Sequence, residues 1–330
     1  MCDVTRRAEP GLVEFSGPTM GTVYTVKVVG PPAGVTAEAL QQRVETILAD
    51  INRTLSTYDP ESELSRFNDN QSTAWVAVSL NLCRIIREAQ AISPLTGGAF
   101  DVTIGPVVNL WGFGPPMTAD RLPSDEAVAA ALARVGYPHL HTRDSPPALR
   151  KDRADLYIDV SAIAQGFAAD RLAEYLESLG VGHYLVDTSG ELRVKGRNAQ
   201  GQLWRIAIEK PSPGERAAER IIPLTDTGIV TSGNYRNFFD LDGQRYSHIM
   251  DPKTGRPVRH ELASVTVIDP SATFADAMAT ALLVLGPEQG FRLAEEQGLA
   301  AFFIAIHGDE FVETHTSAFN RYLQAQQVKP

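Results

Sequence analysis

The chain holds two cysteines, Cys2 and Cys83, in 330 residues. One thiol at the very start and one in the helical pattern "LNLCRIIREA" make neither a disulfide framework nor a zinc-ligand set. No apolar run approaches the roughly 18–20 residues that a membrane-spanning helix needs. Blocks of like charge are missing, as is any Lys/Arg stripe interleaved with aromatics. With a net charge of −10, such a chain repels a polyphosphate backbone, which argues against nucleic acid as a partner. There is no repeat period and no low-complexity segment.

Common catalytic signatures are absent too. No G-x-G-x-x-G follows a strand pattern, "GPTMGT" lacks the Gly-Lys-Ser/Thr of a P-loop, and neither G-x-S-x-G nor H-E-x-x-H occurs. Ser232-Gly233-Asn234 and Lys253-Thr254-Gly255 imitate two of the three motifs of penicillin-recognising serine enzymes. The third, Ser-x-x-Lys with its nucleophile, is not in the chain.

What is present is 43% hydrophobic and 21% charged, ample for a globular core in one large domain or two smaller ones. Met1-Cys2 is followed by the polar "DVTRRAEPG". This is either an ordinary start with a chance cysteine or a mature lipoprotein with its anchor on Cys2; residues 1–11 are expected to be a flexible tether. Alternation predicts a strand from Thr22 to Val28, with the Gly-Pro and Met-Gly pairs breaking it earlier. Leu40, Val44, Ile47, Leu48, Ile51 and Leu55 predict an amphipathic helix capped by Thr36. "STYDPESELSRFN" reads as a turn-rich loop, and a second helix runs near Ser79 to Ala91. Residues 93–115 are too glycine-rich for a helix and too apolar for a linker, so they predict a folded loop lining something. A strand is expected at Leu156–Val160, then a helix capped by Ser161 and stopped by Gly180. Further strands, hairpins turning at Asp242-Gly243 and Gly308-Asp309, and two helices either side of Gly286 complete an α+β pattern.

Three places can carry chemistry. At Asp159-Val160-Ser161 a strand meets a helix start, where free N–H groups suit an anion; alternatively Ser161 caps and Asp159 bonds to nearby amides. Asp276 and Thr280 stack four apart on one helix face among small apolar residues. Burying that carboxylate alone would cost several kcal/mol. It must either cap the helix start, in competition with Thr273, or meet a cation, and the oxygen donors suit Mg²⁺ or Ca²⁺. His248 ends a strand in "YSHIMDPKTG" and is either a structural histidine or a base working near neutral pH.

Eight segments, in order, resemble the ApbE family of flavin transferases (FAD:protein FMN transferases): "GPTMGTVYTV", "LSTYDPESELSRFN", "GGAFDVTIGPVVNLWGFG", "IDVSAIAQGFAADRL", "YLVDTSGELRVKG", "TSGNYRNFF", "YSHIMDPKTGRPV" and "ADAMATALLVLG". The resemblance implies an α+β, T-fold-like architecture of mixed sheets with packed helices over residues 12–330, as one domain or as two lobes around the FAD site. It implies Mg²⁺-dependent cleavage of FAD, with FMN joined through its phosphate to a Thr or Ser hydroxyl of an acceptor protein, such as a subunit of a membrane redox complex, and AMP released. An FAD pyrophosphatase and a non-catalytic FAD-binding protein are the alternatives. By the resemblance, Met20, Tyr58, Ala99, Phe100, Asp101, Asp159, Gln165 and Ile249 would contact FAD. Asp276, Thr280 and the carbonyl of Ala162 would hold Mg²⁺, and His248 would be the base. A neutral Gln165 stands where many members carry a charge, and Ser189-Gly190 stands where they carry Gly-Gly. The Met1-Cys2 start fits exported members anchored at the periplasmic side of the inner membrane.

Overall fold

The computed structural model describes residues 6–9, 11–115, 122–211, 218–235, 237–241, 243–308 and 310–324. Cys2 and the anchor expected there lie outside the described residues, as do Asp242 and Asp309 of the two expected hairpin turns.

A nine-stranded antiparallel sheet forms the centre, its strands lying side by side in the order in which the chain makes them. They are β1 (Arg6–Glu9), β2 (Leu12–Thr19), β3 (Thr22–Val29), β4 (Tyr184–Thr188), β5 (Leu192–Lys195), β6 (Thr227–Gly233), β7 (Leu262–Asp269), β8 (Ala300–His307) and β9 (Glu310–His315). Arg6–Glu9, expected within a tether, instead pair with Leu12–Phe15 of β2. Between β3 and β4 the chain builds α1 (Ala37–Leu55), α2 (Glu63–Asp69), α3 (Leu80–Leu95), α4 (Gly105–Leu110), α5 (Asp125–Leu132) and α6 (Ala164–Ser178); α7 (Ala272–Glu296) links β7 to β8. The α+β class read from the sequence is the class of the structure. Among the described residues, no helix is long and apolar enough to cross a membrane.

Period-two alternation distributes side chains to the two faces of the sheet. Tyr24, Val26, Val28, Val265, Val267 and Phe303 point to one face and pack with Val44 and Ile51 of α1, Phe167 and Leu172 of α6, and Leu282 of α7. Their neighbours Ile268, Phe302 and Ile304 point to the other face, against Trp204, Ile206 and Leu224 of a small hairpin. Strands β7 and β8 are therefore buried on both faces, which is why "AAFFIAI" is apolar without a break. A third, smaller core joins Val107, Trp111 and Phe113 to Tyr246 and Met250.

Several local expectations are corrected. Gly17-Pro18 does not break a strand; it lies inside β2, opposite Tyr24 and Val23. Among the described residues β1 pairs with β2 only as far as Phe15, so no described strand on that side calls for an N–H from Pro18. The loop expected at "STYDPESELSRFN" contains α2, because the Ser62 hydroxyl accepts the Ser65 N–H at 2.9 Å and Leu64 and Phe67 are buried three apart. Residues 93–115 do line a cavity, but they also include α4. Leu156–Val160 runs without a strand partner: the Asn68 amide bonds both the N–H and the C=O of Ile158 at 2.8 Å, and Asp159 N–H donates to Val102 O. One side chain thus satisfies the backbone that a neighbouring strand would otherwise pair. Helix α6 begins at Ala164, with no side-chain cap from Ser161. The helical pattern around "LGPEQG" is broken at Gly286 (φ 80°, ψ −177°), as the two-helix reading expects.

Candidate active site

A cavity of about 720 Å³ opens where the helical face of the sheet meets the third core. All twelve residues singled out from the sequence line it: Met20, Tyr58, Ala99, Phe100, Asp101, Asp159, Ala162, Gln165, His248, Ile249, Asp276 and Thr280. They come from six separate stretches of chain, brought together by the sheet and the two helices α6 and α7.

The floor is a cross-clamp between α6 and α7. Asp170 of α6, nine-tenths buried, accepts from Ala272 N–H, Thr273 N–H, the Thr273 hydroxyl and the Ser271 hydroxyl at 2.7–3.0 Å. It thereby receives the free amides at the start of α7, while Ser271 supplies the chain's own cap to Phe274 N–H. In return, Asp276 of α7 accepts Gly166 N–H of α6 at 3.0 Å. In a regular helix that amide would bond to the carbonyl of Ala162, four residues earlier. Here it turns to Asp276, and among the described residues no backbone hydrogen bond ends on Ala162 O. Gly166 has no alternative at this crossing, since a Cβ there would sit 2.3 Å from Ala272 O and 2.8 Å from the Asp276 Cβ.

Asp276 therefore does not cap its own helix; it is buried at the crossing, and burial pushes its carboxyl up to about 7. Thr280, one turn on, shares a hydroxyl hydrogen bond with Ser232 of β6 at 3.0 Å. Glu191 lies on the β4–β5 turn, and its carboxyl is driven well above the usual carboxylate range by burial and then by Asp276 beside it. At the joint before α6, Asp159 accepts Ser161 N–H at 2.8 Å and the Ser161 hydroxyl at 2.6 Å. Asp101 is fully engaged: one oxygen takes the N–H and hydroxyl of Thr103, the other Tyr137 N–H. Its carboxylate holds the glycine-rich loop in shape.

The rim is different. His248 follows the last strand of the 238–247 hairpin and is half-buried. Its Nδ1 lies 3.0 Å from Asn237 O. A carbonyl only accepts, so Nδ1 carries the proton and Nε2 is left as the acceptor. Burial holds this imidazole below the ordinary histidine value. Tyr58, 58% exposed, is tied by its hydroxyl to Phe113 O at 3.2 Å and offers a ring face at the mouth.

The family model for the ApbE family matches residues 20–303. The chain belongs to the ApbE family. It is 45% identical over 311 residues to a Vibrio cholerae protein named FAD:protein FMN transferase, covering 94% of this chain and 92% of that one. An Escherichia coli protein of the same name is 42% identical, covering 94% and 89%. Among solved structures, the flavin transferase ApbE from Vibrio cholerae superposes with a TM-score of 0.87 at 44% identity, covering 94% of this chain and 99% of that one.

Within this ApbE chain, sequence reasoning missed some cavity residues. Ser232 was read as part of a decoy motif, yet it holds the Thr280 hydroxyl. Lys253-Thr254-Gly255, the other decoy, is a turn whose Gly255 carbonyl accepts the Trp111 indole N–H at 2.8 Å. Asn237 acts through its backbone, which no side-chain motif could reveal. Glu191 stands within a segment quoted for the resemblance but received no role; a lone acid between Gly190 and Leu192 at a strand start was its only signal.

Proposed function

We propose that this chain transfers the FMN part of FAD to a Thr or Ser hydroxyl of an acceptor flavoprotein, with AMP as the leaving group and a divalent cation, Mg²⁺ first, as the required cofactor. One observation carries the reading. Among the described residues lining the cavity there are four carboxylates, on Asp101, Asp159, Glu191 and Asp276, and no lysine or arginine. Such a cavity repels a diphosphate unless a metal ion comes with it.

The donors fit that ion. Asp276 offers a carboxylate, Thr280 a hydroxyl and Ala162 a carbonyl released from helix bonding, all hard oxygens. Among the described residues no three His, Cys, Asp or Glu side chains converge into a protein-only cage. That thinner set suits Mg²⁺, which keeps several waters and commonly shares substrate phosphates. When bound, the ion would offset the charge that develops on the diphosphate.

The chain's own groups do the rest. His248 Nε2 accepts the proton of the acceptor hydroxyl as its oxygen bonds to the phosphorus of FMN. The bond from that phosphorus to the bridging oxygen breaks, and AMP departs with both of that bond's electrons. Asn237 O fixes the tautomer that makes Nε2 the acceptor. Tyr58 stacks on a ring of FAD at the mouth, and the rings of Phe100 and Phe113 add apolar lining that excludes water.

The test is to incubate the protein with FAD, Mg²⁺ and a Thr-containing acceptor domain, then to weigh the acceptor. A gain of one FMN moiety supports transfer. Free FMN beside an unmodified acceptor would replace transfer with hydrolysis, and intact FAD would leave only a binding protein.

A further inference from the structure

The turn between β4 and β5 is built with more constraint than a connection needs. Ser189 and Gly190 both take positive φ, 80° and 110°, and a non-glycine residue adopts the first at some cost. Gly190 N–H donates to Asp187 Oδ1 at 2.7 Å, and the Ser189 hydroxyl meets that of Thr22 across the sheet at 2.8 Å. The next carbonyl, that of Glu191, accepts both the N–H and the hydroxyl of Thr188. The same hydroxyl reaches Gln165 O of α6 at 2.9 Å. The carbonyl of Glu191 is thus held by Thr188, which in turn is tied to α6.

Its side chain is not held in the same way. Glu191 is 9% exposed, lines the cavity with Asp276 and Thr280, and its Oε2 has no hydrogen-bond partner among the described residues. The charges it feels are Asp276 and Asp187, both negative. A buried carboxylate oxygen with no donor and no cation beside it is an expensive arrangement for a fold to keep. It is explained if something positive enters between the two acids.

We propose that Glu191 supplies a carboxylate oxygen, directly or through one water, to the same divalent cation that Asp276, Thr280 and the Ala162 carbonyl hold. The site then carries two acids from opposite sides, one on α7 and one on the β4–β5 turn. This inference rests on the metal reading under Proposed function. It adds a ligand whose backbone is anchored to α6 through Thr188, so the cation also ties the sheet to the helix pair. A cation bound by two carboxylates is attracted more strongly than one bound by Asp276 alone, and is less dependent on the diphosphate for its retention.

The test uses Mn²⁺ as the probe, with the full chain and no FAD. Free Mn²⁺ is followed by electron paramagnetic resonance during titration of wild type, Glu191→Gln, Glu191→Asp and Asp276→Asn, and each protein is melted in chelator. The expected result is a Mn²⁺ affinity about tenfold or more lower in Glu191→Gln, partly recovered in Glu191→Asp. The melting temperature of Glu191→Gln in chelator should equal or exceed that of wild type, because a like charge has been removed. Wild-type affinity in Glu191→Gln together with lost affinity in Asp276→Asn would overturn this inference and leave the metal reading standing. A fall in the chelator melting temperature of Glu191→Gln would make the residue structural and overturn it as well. Absence of Mn²⁺ binding by wild type without FAD would overturn this inference, since two carboxylates should retain the ion without the diphosphate; the metal reading itself is then decided by Mn²⁺ binding in the presence of FAD.

Discussion

The floor and the rim of the cavity are made on different terms. On the floor, Asp276 sits at a helix crossing where Asp170, Gly166 and Ser271 have each committed their polar groups across the two helices. At the rim, His248 is half-buried with its Nδ1 on Asn237 O and its ring beside that of Phe113, and Tyr58 is more exposed than buried. Burying acids without cationic side chains is costly, so the floor needs a rigid frame that resists collapse or opening. The proposed base, which would accept a proton from an incoming protein, needs one lone pair aimed outward and room for its partner. The contrast separates a rigid part that holds charge from an accessible part where the proposed base sits.

The largest expected effect breaks the floor while leaving the rim intact. Asp276→Ala should abolish Mg²⁺-dependent turnover and keep the fold, as judged by mass spectrometry of the acceptor and by circular dichroism; full activity in the variant would discard the metal assignment. Next, His248→Ala should bind FAD as wild type yet modify the acceptor about 10²- to 10⁴-fold more slowly. A normal rate would make the histidine structural.

The frame itself is tested through stability. Asp170→Ala removes four accepted hydrogen bonds and leaves Arg193, 3.2 Å away, without this carboxylate partner, so unfolding in urea should show a loss of about 3 kcal/mol. Gly166→Ala should cost about 2 kcal/mol through the clash with Ala272 O, and it should weaken metal binding more than an equally destabilising change on the rim does. Smallest is the pH response. Because burial lowers the folded value of His248 below 6.5, the neutral, proton-accepting form persists to lower pH. The acid limb of the turnover profile should therefore have its midpoint below 6.5. In stability terms, the contribution of the neutral imidazole is complete above 6.5 and is lost as pH falls through the lowered folded value. A midpoint above 6.5 would contradict a desolvated base.

How much of this was legible beforehand follows the same division. Side chains that announce themselves by type and spacing, such as Asp276 with Thr280 four residues on, were found and do line one cavity. So were strands whose alternation is plain, as at Thr22–Val28. What stayed hidden acts through the backbone or through distant partners. Asn68 stands in for a strand beside Ile158, ninety residues away in the chain, and local pattern at Leu156–Val160 cannot distinguish the two. Ser161 looked like a helix cap, but Asp159 two residues earlier takes both its N–H and its hydroxyl, and the helix begins later. Glu191 offered no period or motif at all; its meaning comes only from a buried carboxylate oxygen left without a partner among the described residues once the chain is folded.

The sheet follows chain order, yet its third and fourth strands are separated by six helices. Thr22 and Ser189, joined by their hydroxyls across that seam, are 167 residues apart in sequence. Closing so long a loop is slow. A nascent chain emerging from the ribosome therefore carries the first hairpin well before its partner strand exists, and a truncated product ending before residue 184 would contain most of the residues proposed to contact FAD but neither Asp276 nor Thr280, proposed to hold the cation. On that proposal, ligand capture is reserved for a polypeptide that already includes α7.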